Sequence, residues 1–317
     1  MTIKMILDVD TGIDDALALA YAMASPEVEL VGVTSTYGNV TVADSVRNSL
    51  AILELFGRTD IPVFAGPTHA RAKDSFEVLE ISQFIHGVNG IGEAQLPDAH
   101  RAVEEASAVD FMVDAFHRYG DELVIVPVGP LTTVAAAMEA DKDFADSARI
   151  VMMGGALTVP GNVNTCTEAN INQDPEAADF VMRRAQNLTM IGLDVTLQTL
   201  LTSKETAVWK ELGTSQGNFL AEATDFYIKA YETTSPHLGG CGLHDPLAVA
   251  VAIDPSLVDC IGINLRTDLE EPTRGRTIGD PERLNDPKKT SQVAVGVDVD
   301  RFLDEFMTRL TNLARSS

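Results

Sequence analysis

Residues 5–25, MILDVDTGIDDALALAYAMAS, constrain the fold more than any other stretch. A short apolar run meets an acidic turn at Asp10-Thr11-Gly12, and an alanine- and leucine-rich segment follows. A brief apolar run bounded by turn residues is a buried strand, and the period beyond it suits a helix. The unit is therefore strand, turn, helix, with Asp8, Asp10, Asp14 and Asp15 where the strand hands over. In open α/β sheets that carboxyl edge is where ligands bind.

The alternation continues. Residues 28–35, VELVGVTS, read as a buried strand, with Tyr37-Gly38-Asn39 as the loop at its end. A helix is expected over 42–56 and a short strand over 61–64. Residues 65–100 look irregular, rich in Gly, Pro and His, with His86-Gly87-Val88-Asn89-Gly90-Ile91-Gly92 their most distinctive part. A helix over 106–119, a strand over 123–128, a helix to Met138 and a strand over 149–153 follow. Asp174 is a good N-cap and Pro175 suits the first helical position. A strand over 188–193, two helices over 203–231 and a Gly-rich loop over 235–243 lead to a helix opened by His244-Asp245-Pro246. Segments 259–266, 273–280 and 293–297 look like antiparallel edge strands, before a last helix over 301–313. This pattern predicts one α/β, Rossmann-like domain over 1–317. Its central sheet is mostly parallel, with helices on both faces and an antiparallel extension near the C-terminus.

Composition narrows the function. The chain has 47 acidic against 23 basic residues, a net charge of -24. Nucleic acids and anionic membranes need clustered Lys and Arg, so both are excluded as partners. Cys166, Cys241 and Cys260 form no disulfide framework and no metal knuckle, which favours a reducing, cytoplasmic compartment. No apolar run approaches the length of a membrane span, and no secretory leader is expected.

One or two acids would serve as helix cap and dipole partner. Four, packed around Gly12, exceed that need, and carboxylates crowded at a buried edge are costly without a cation. Carboxylate oxygens suit Ca²⁺ or Mg²⁺. Other polar residues at strand ends or helix starts can converge on the same crevice: Asn39, then Asn162, Glu168 and Asn170, then His244-Asp245. Asp8-Val9-Asp10 also resembles the opening of aspartyl-phosphate phosphatases, but Gly12 stands where they carry Thr or Val. No Gly-x-Ser-x-Gly elbow or phosphate-binding loop is present. A ligand with several hydroxyls and no phosphate suits such an acidic, amide-rich crevice.

The ordered set resembles the inosine-uridine preferring nucleoside hydrolase family. Asp10-Thr11-Gly12-Ile13-Asp14-Asp15-Ala16 is similar to its N-terminal signature and His244-Asp245-Pro246 to its C-terminal one. Gly38-Asn39, His86-Gly87, residues 127–132 (PVGPLT), Met153-Gly154-Gly155, Glu168-Ala169-Asn170, Asp174-Pro175-Glu176 and Thr273-Arg274-Gly275 lie in the family's order. The resemblance implies a Ca²⁺ held by Asp10, Asp15, Asp245 and the carbonyl of Val128, where Thr is usual. It implies Asp14 and Asn170 on the ribose 2′- and 3′-hydroxyls, Asn162 and Glu168 on the 5′-hydroxyl, and Met153 and Asn39 lining the sugar pocket. The implied reaction is hydrolysis of the N-glycosidic bond of ribonucleosides, with Asp10 as general base, Asn39 beside it, and His244 as proton donor to the base. His86 would help bind the base or wall the pocket. The pair His86 and His244 resembles the broad or pyrimidine-tolerant branch, and Trp209 does not easily supply the aromatic stacking of the purine-specific branch. The expected assembly is a homodimer or homotetramer. A non-catalytic nucleoside-binding protein on the same fold is the competing reading.

Overall fold

The strand expected at residues 28–35 spans those residues in a computed structural model, which describes residues 2–315. Six strands run in chain order through the first two-thirds: β1 (Ile3–Val9), β2 (Val28–Ser35), β3 (Val63–Ala65), β4 (Leu123–Pro127), β5 (Arg149–Met153) and β6 (Leu188–Ile191). The later ones are β7 (Leu200–Leu201), β8 (Cys241–Gly242), β9 (Val258–Ile263), β10 (Leu265–Thr267), β11 (Thr277–Gly279) and β12 (Ser291–Val297). The main sheet has eight strands in the order β3-β2-β1-β4-β5-β6-β12-β9. All its neighbours pair in parallel except β9, which runs antiparallel to β12 at the edge.

The expected C-terminal extension is there in a more divided form. Residues 258–263 supply the antiparallel edge, but β12 lies parallel to β6, inside the sheet. β10 and β11 pair only with each other. Four short helices, Glu80–His86, Lys142–Ser147, Ala169–Gln173 and Leu193–Thr196, fall where none was expected.

Strand alternation divides the core. Met5, Leu7 and Val9 of β1 join one apolar cluster, and Ile6 joins the other. Side chains one residue apart point to opposite faces, so a fully buried strand serves two cores. The first face is covered by α1 (Ile13–Ala24) and the helices His244–Ile253 and Val299–Arg315. There Tyr21 stacks on Phe306 with ring centroids 5.7 Å apart. The second face is covered by the helices Ala108–Tyr119, Thr132–Ala140 and Pro175–Arg184.

Asp174 caps the last of these as expected. Its Oδ1 accepts from the Ala177 N–H at 3.0 Å, while Oδ2 accepts from Thr132 Oγ1 at 2.8 Å and the Arg71 N–H at 3.0 Å. One buried carboxylate thus ties a helix start to the neighbouring helix and to the 65–79 loop.

The chain leaves β1 toward β2 and β3 on one side, then returns to β4 on the other. The strand order therefore reverses between β1 and β4. At such a switch point the two connecting loops diverge and leave a crevice at the carboxyl ends. Asp10 follows β1 there, and Val128 follows β4.

Candidate active site

Asp10 lies one residue past β1, with 1% of its surface exposed. Its Oδ2 accepts from the Asn39 N–H at 2.6 Å, and its Oδ1 has no hydrogen-bond partner. Gly38 and Gly12 allow this close approach. A Cβ on Gly38 would sit 2.1 Å from Asp10 Oδ2, and one on Gly12 would meet His86 Nδ1 at 2.6 Å.

Asp15 acts from inside α1. It accepts from the N–H groups of Asp10 at 3.1 Å and Gly12 at 2.8 Å, holding the turn that aims Asp10. Asp14, one residue earlier, has its Oδ2 accepting from Tyr227 OH at 3.3 Å. Its Oδ1 has no partner. Asp245, in the first turn of the helix His244–Ile253, completes the group. Oxygens of Asp14, Asp15 and Asp245 lie within 4.8 Å of one another.

Burial pushes the carboxyls of Asp10, Asp14, Asp15 and Asp245 upward; repulsion between the acids adds to it at Asp10, Asp14 and Asp245, while the hydrogen bonds Asp15 accepts work against it there. Asp14 rises to about 8. Asp8, whose Oδ1 accepts from Thr34 Oγ1 at 2.6 Å, rises to about 7 through burial. No Lys or Arg is among the described residues that line the cavity above these acids. Buried carboxylates with orphaned oxygens and no basic partner are the donor set of a hard cation. Asp10 and the Val128 carbonyl stand at the same edge, and the carbonyl already accepts from Asn170 Nδ2 at 2.7 Å.

The cavity has a volume of about 650 Å³. Every residue expected at the site lines it, Asp15 excepted, which lies beneath. The expected set is therefore brought together from seven parts of the chain. Glu168 is the N-cap of the helix Ala169–Gln173: Oε1 accepts from the Asn170 N–H at 2.9 Å and Oε2 from the Gly155 N–H at 2.9 Å. Asn162 Oδ1 accepts from the Ala169 N–H at 3.0 Å. These two residues thus share one wall with Met153, whose carbonyl also accepts from Asn170 Nδ2.

His86 is held at the opposite wall. Its Nδ1 accepts from the Ile13 N–H at 3.1 Å, at the first turn of α1, so the ring carries its hydrogen on Nε2. Burial, and then repulsion from His244, lowers its pKa to about 3, so its 3.9 Å approach to Asp14 is no ion pair. His244 is lowered to about 4 by burial.

Sequence reasoning missed Tyr227 and Tyr231. They stand one turn apart on the helix Ser215–Thr234 and face the cavity. Tyr231 OH lies 2.6 Å from His244 Nε2 and 3.5 Å from Tyr227 OH. Aromatic residues at helical spacing read as core; the adjoining Gly-rich loop was the available signal. It also missed the apolar rim from Leu79, Ile81 and Ile85. Trp209 is fully buried against Phe306, away from the cavity. A second cavity of about 600 Å³, around Arg71, Phe180 and Arg183, carries guanidiniums paired with Glu139, Asp179 and Glu282.

The family model for inosine-uridine preferring nucleoside hydrolases matches residues 5–304. The chain belongs to that family. As a member it is a nucleoside hydrolase, with ribonucleosides as its substrate class. It is 36% identical over 318 residues to a probable uridine nucleosidase 2 from Arabidopsis thaliana, covering 97% of each chain. It is 33% identical to the pyrimidine-specific ribonucleoside hydrolase RihA of Shigella boydii, covering 98% of this chain and 99% of that one. Among solved structures, a purine-preferring ribonucleoside hydrolase from Gardnerella vaginalis is 62% identical, with a TM-score of 0.98. That match covers 99% of this chain and 100% of the other. Among the described residues, no helix of this nucleoside hydrolase is long and apolar enough to cross a membrane.

Proposed function

We propose that the chain hydrolyses the N-glycosidic bond of purine ribonucleosides in preference to pyrimidine ones, with a Ca²⁺ at the acidic cluster. The observation that carries the metal is the pair of orphaned, fully buried oxygens, Asp10 Oδ1 and Asp14 Oδ1, in a cavity lined by no Lys or Arg among the described residues. Asp10, Asp15, Asp245 and the Val128 carbonyl would hold the ion, an all-oxygen set suited to Ca²⁺. When bound, it supplies positive charge to anchor the ribose diol and to acidify a water.

Asp10 is the general base. Its Oδ2 is fixed by Asn39, so Oδ1 is the oxygen free to take the water's proton. Asp14 and Asn170 hold the 2′- and 3′-hydroxyls, and Asn162 and Glu168 the 5′-hydroxyl. Met153 and Asn39 pack against the sugar. Water attacking directly, with no covalent sugar, inverts the anomeric carbon.

The departing base accepts a hydrogen bond from Tyr231 OH, which the His244 Nε2–H polarises from 2.6 Å away while His244, lowered to about 4 by burial, stays a neutral imidazole. A hydrogen-bond donor at this place serves a purine, whose ring nitrogen gains negative charge as the bond breaks. The 62% identity to a purine-preferring enzyme supports the same preference, against the pyrimidine-tolerant branch that His86 and His244 suggested.

Initial rates on inosine, adenosine, guanosine, uridine and cytidine, with and without chelator, test this reading. Purine nucleosides should lead in kcat/KM, and chelation should stop all turnover. Uridine or cytidine in the lead would overturn the preference; chelator-resistant turnover would overturn the metal.

A further inference from the structure

We propose that the four-residue helix Leu193–Thr196 is a positioning element that holds both ends of the substrate cavity from one turn. Thr196 orients His244 at the leaving-group end, and Asp194 fixes the loop that carries Asn162 at the ribose 5′ end. The proposal rests on the functional reading above and assigns roles to two residues outside the cavity wall.

The turn is rigidly placed. It follows β6 after Gly192, and Leu193 and Val195 are buried in the core, where the turn packs against β12 and the helix His244–Ile253. The Leu193 N–H donates to the Gly155 carbonyl at 2.9 Å, which seats the turn against the loop leaving β5. A side chain on this turn therefore starts from a fixed backbone.

Asp194 reaches that loop. Its carboxylate accepts from the N–H groups of Leu157 at 3.0 Å and Thr158 at 2.7 Å, and from Thr158 Oγ1 at 2.5 Å. From the other side, Arg276 Nη2 donates to the Leu157 carbonyl at 3.3 Å. Residues 160–163, which wall the cavity and include Asn162, begin two positions later. A loop held by three bonds to one buried carboxylate keeps little freedom at its next few residues.

Thr196 reaches the other end. Its Oγ1 lies 2.7 Å from His244 Nδ1, its one side-chain partner among the described residues. If Nδ1–H donated, the buried Thr196 hydroxyl would have no acceptor for its own hydrogen. Buried polar groups are paired, so the hydroxyl donates to Nδ1 and the ring hydrogen stands on Nε2. Nε2–H then donates to Tyr231 OH at 2.6 Å, and the Tyr231 hydrogen is left for the leaving base, with Tyr227 OH, 3.5 Å away, as its other acceptor. Thr196 thereby sets the direction of the relay without touching substrate.

Three substrates separate the two roles in the full-length, metal-loaded enzyme: inosine, 5′-deoxyinosine and 4-nitrophenyl β-ribofuranoside, whose leaving group departs without a proton. Thr196→Val should lower kcat on inosine about tenfold, the size of one lost hydrogen bond. It should spare the nitrophenyl riboside, and Thr196→Ser should restore the rate. Asp194→Asn puts an amide against N–H and O–H donors. It should lower kcat/KM about tenfold on inosine and the nitrophenyl riboside, yet spare 5′-deoxyinosine. Equal losses on all three substrates, or no loss, would overturn the positioning roles. A wild type that hydrolyses none of the three would instead overturn the functional reading, and these roles with it.

Discussion

The Asn39 N–H donates to Asp10 Oδ2 at 2.6 Å and leaves Oδ1 of the same carboxylate without a partner. One oxygen is fixed by the protein and the other is presented to the cavity. A base that must face a reacting water from a single direction needs this asymmetry.

Asp10→Asn keeps the shape and the Asn39 contact but removes the basic oxygen. Turnover should fall about 10³-fold, within the range of general-base loss. The metal-free variant should melt no lower than metal-free wild type, because a buried charge has gone. Near-normal kcat in a correctly folded variant would sink the assignment of Asp10.

Metal and pH should be coupled in stability. Asp8 and Asp14 rise to about 7 and about 8, so between the unfolded carboxylate range and those values the native state holds more protons than the unfolded one. Stability of the metal-free protein should therefore fall as pH rises from 5 to 8, by up to about 1.4 kcal/mol per pH unit for each group. Added Ca²⁺ should raise Tm, and raise it more at pH 8 than at pH 5. Calorimetry in chelator and in Ca²⁺ reads both slopes; a metal-free Tm that climbs over this range would contradict the buried acid cluster.

Tyr231→Phe deletes the hydroxyl that His244 Nε2 approaches at 2.6 Å in the cavity wall. The expected loss is about 10²-fold in kcat on inosine, with little change for a substrate whose leaving group needs no proton. Equal losses on both would show that Tyr231 only shapes the pocket.

Asp174→Ala tests the scaffold apart from the chemistry. It removes a helix cap and the acceptor for Thr132 and the Arg71 N–H. About 2–4 kcal/mol of stability should be lost, with KM unchanged at a temperature where the variant is folded. Urea titration gives the first quantity and steady-state kinetics the second.

The central part of the site was legible because each of its residues sits at a junction with its own punctuation. Asp10 ends an apolar strand, Asn39 follows Gly38, and Asp245 stands between His244 and Pro246. Such signals are local, and the strand alternation says which junctions share an edge. Tyr227 and Tyr231 were not legible, because a helix presenting rings to a cavity and one presenting them to a core have the same spacing. The helix Glu80–His86 was hidden for a related reason. Ile81, at the cavity rim, and Phe84 are about half exposed, so its apolar residues do not follow a core-facing stripe. The division of the C-terminal strands depends on β12 entering the sheet beside β6, a contact across about a hundred residues that no local pattern encodes.

That placement of β12 reverses the order in which the sheet can be completed. β9 comes earlier in the chain, yet among the described residues its one neighbour in the main sheet is β12. During synthesis β9 emerges with no edge to join, and it stays unpaired until the later strand has docked on β6. The C-terminal edge therefore closes backwards, last-made strand first, and residues 258–263 are the segment most exposed to mispairing in the interval.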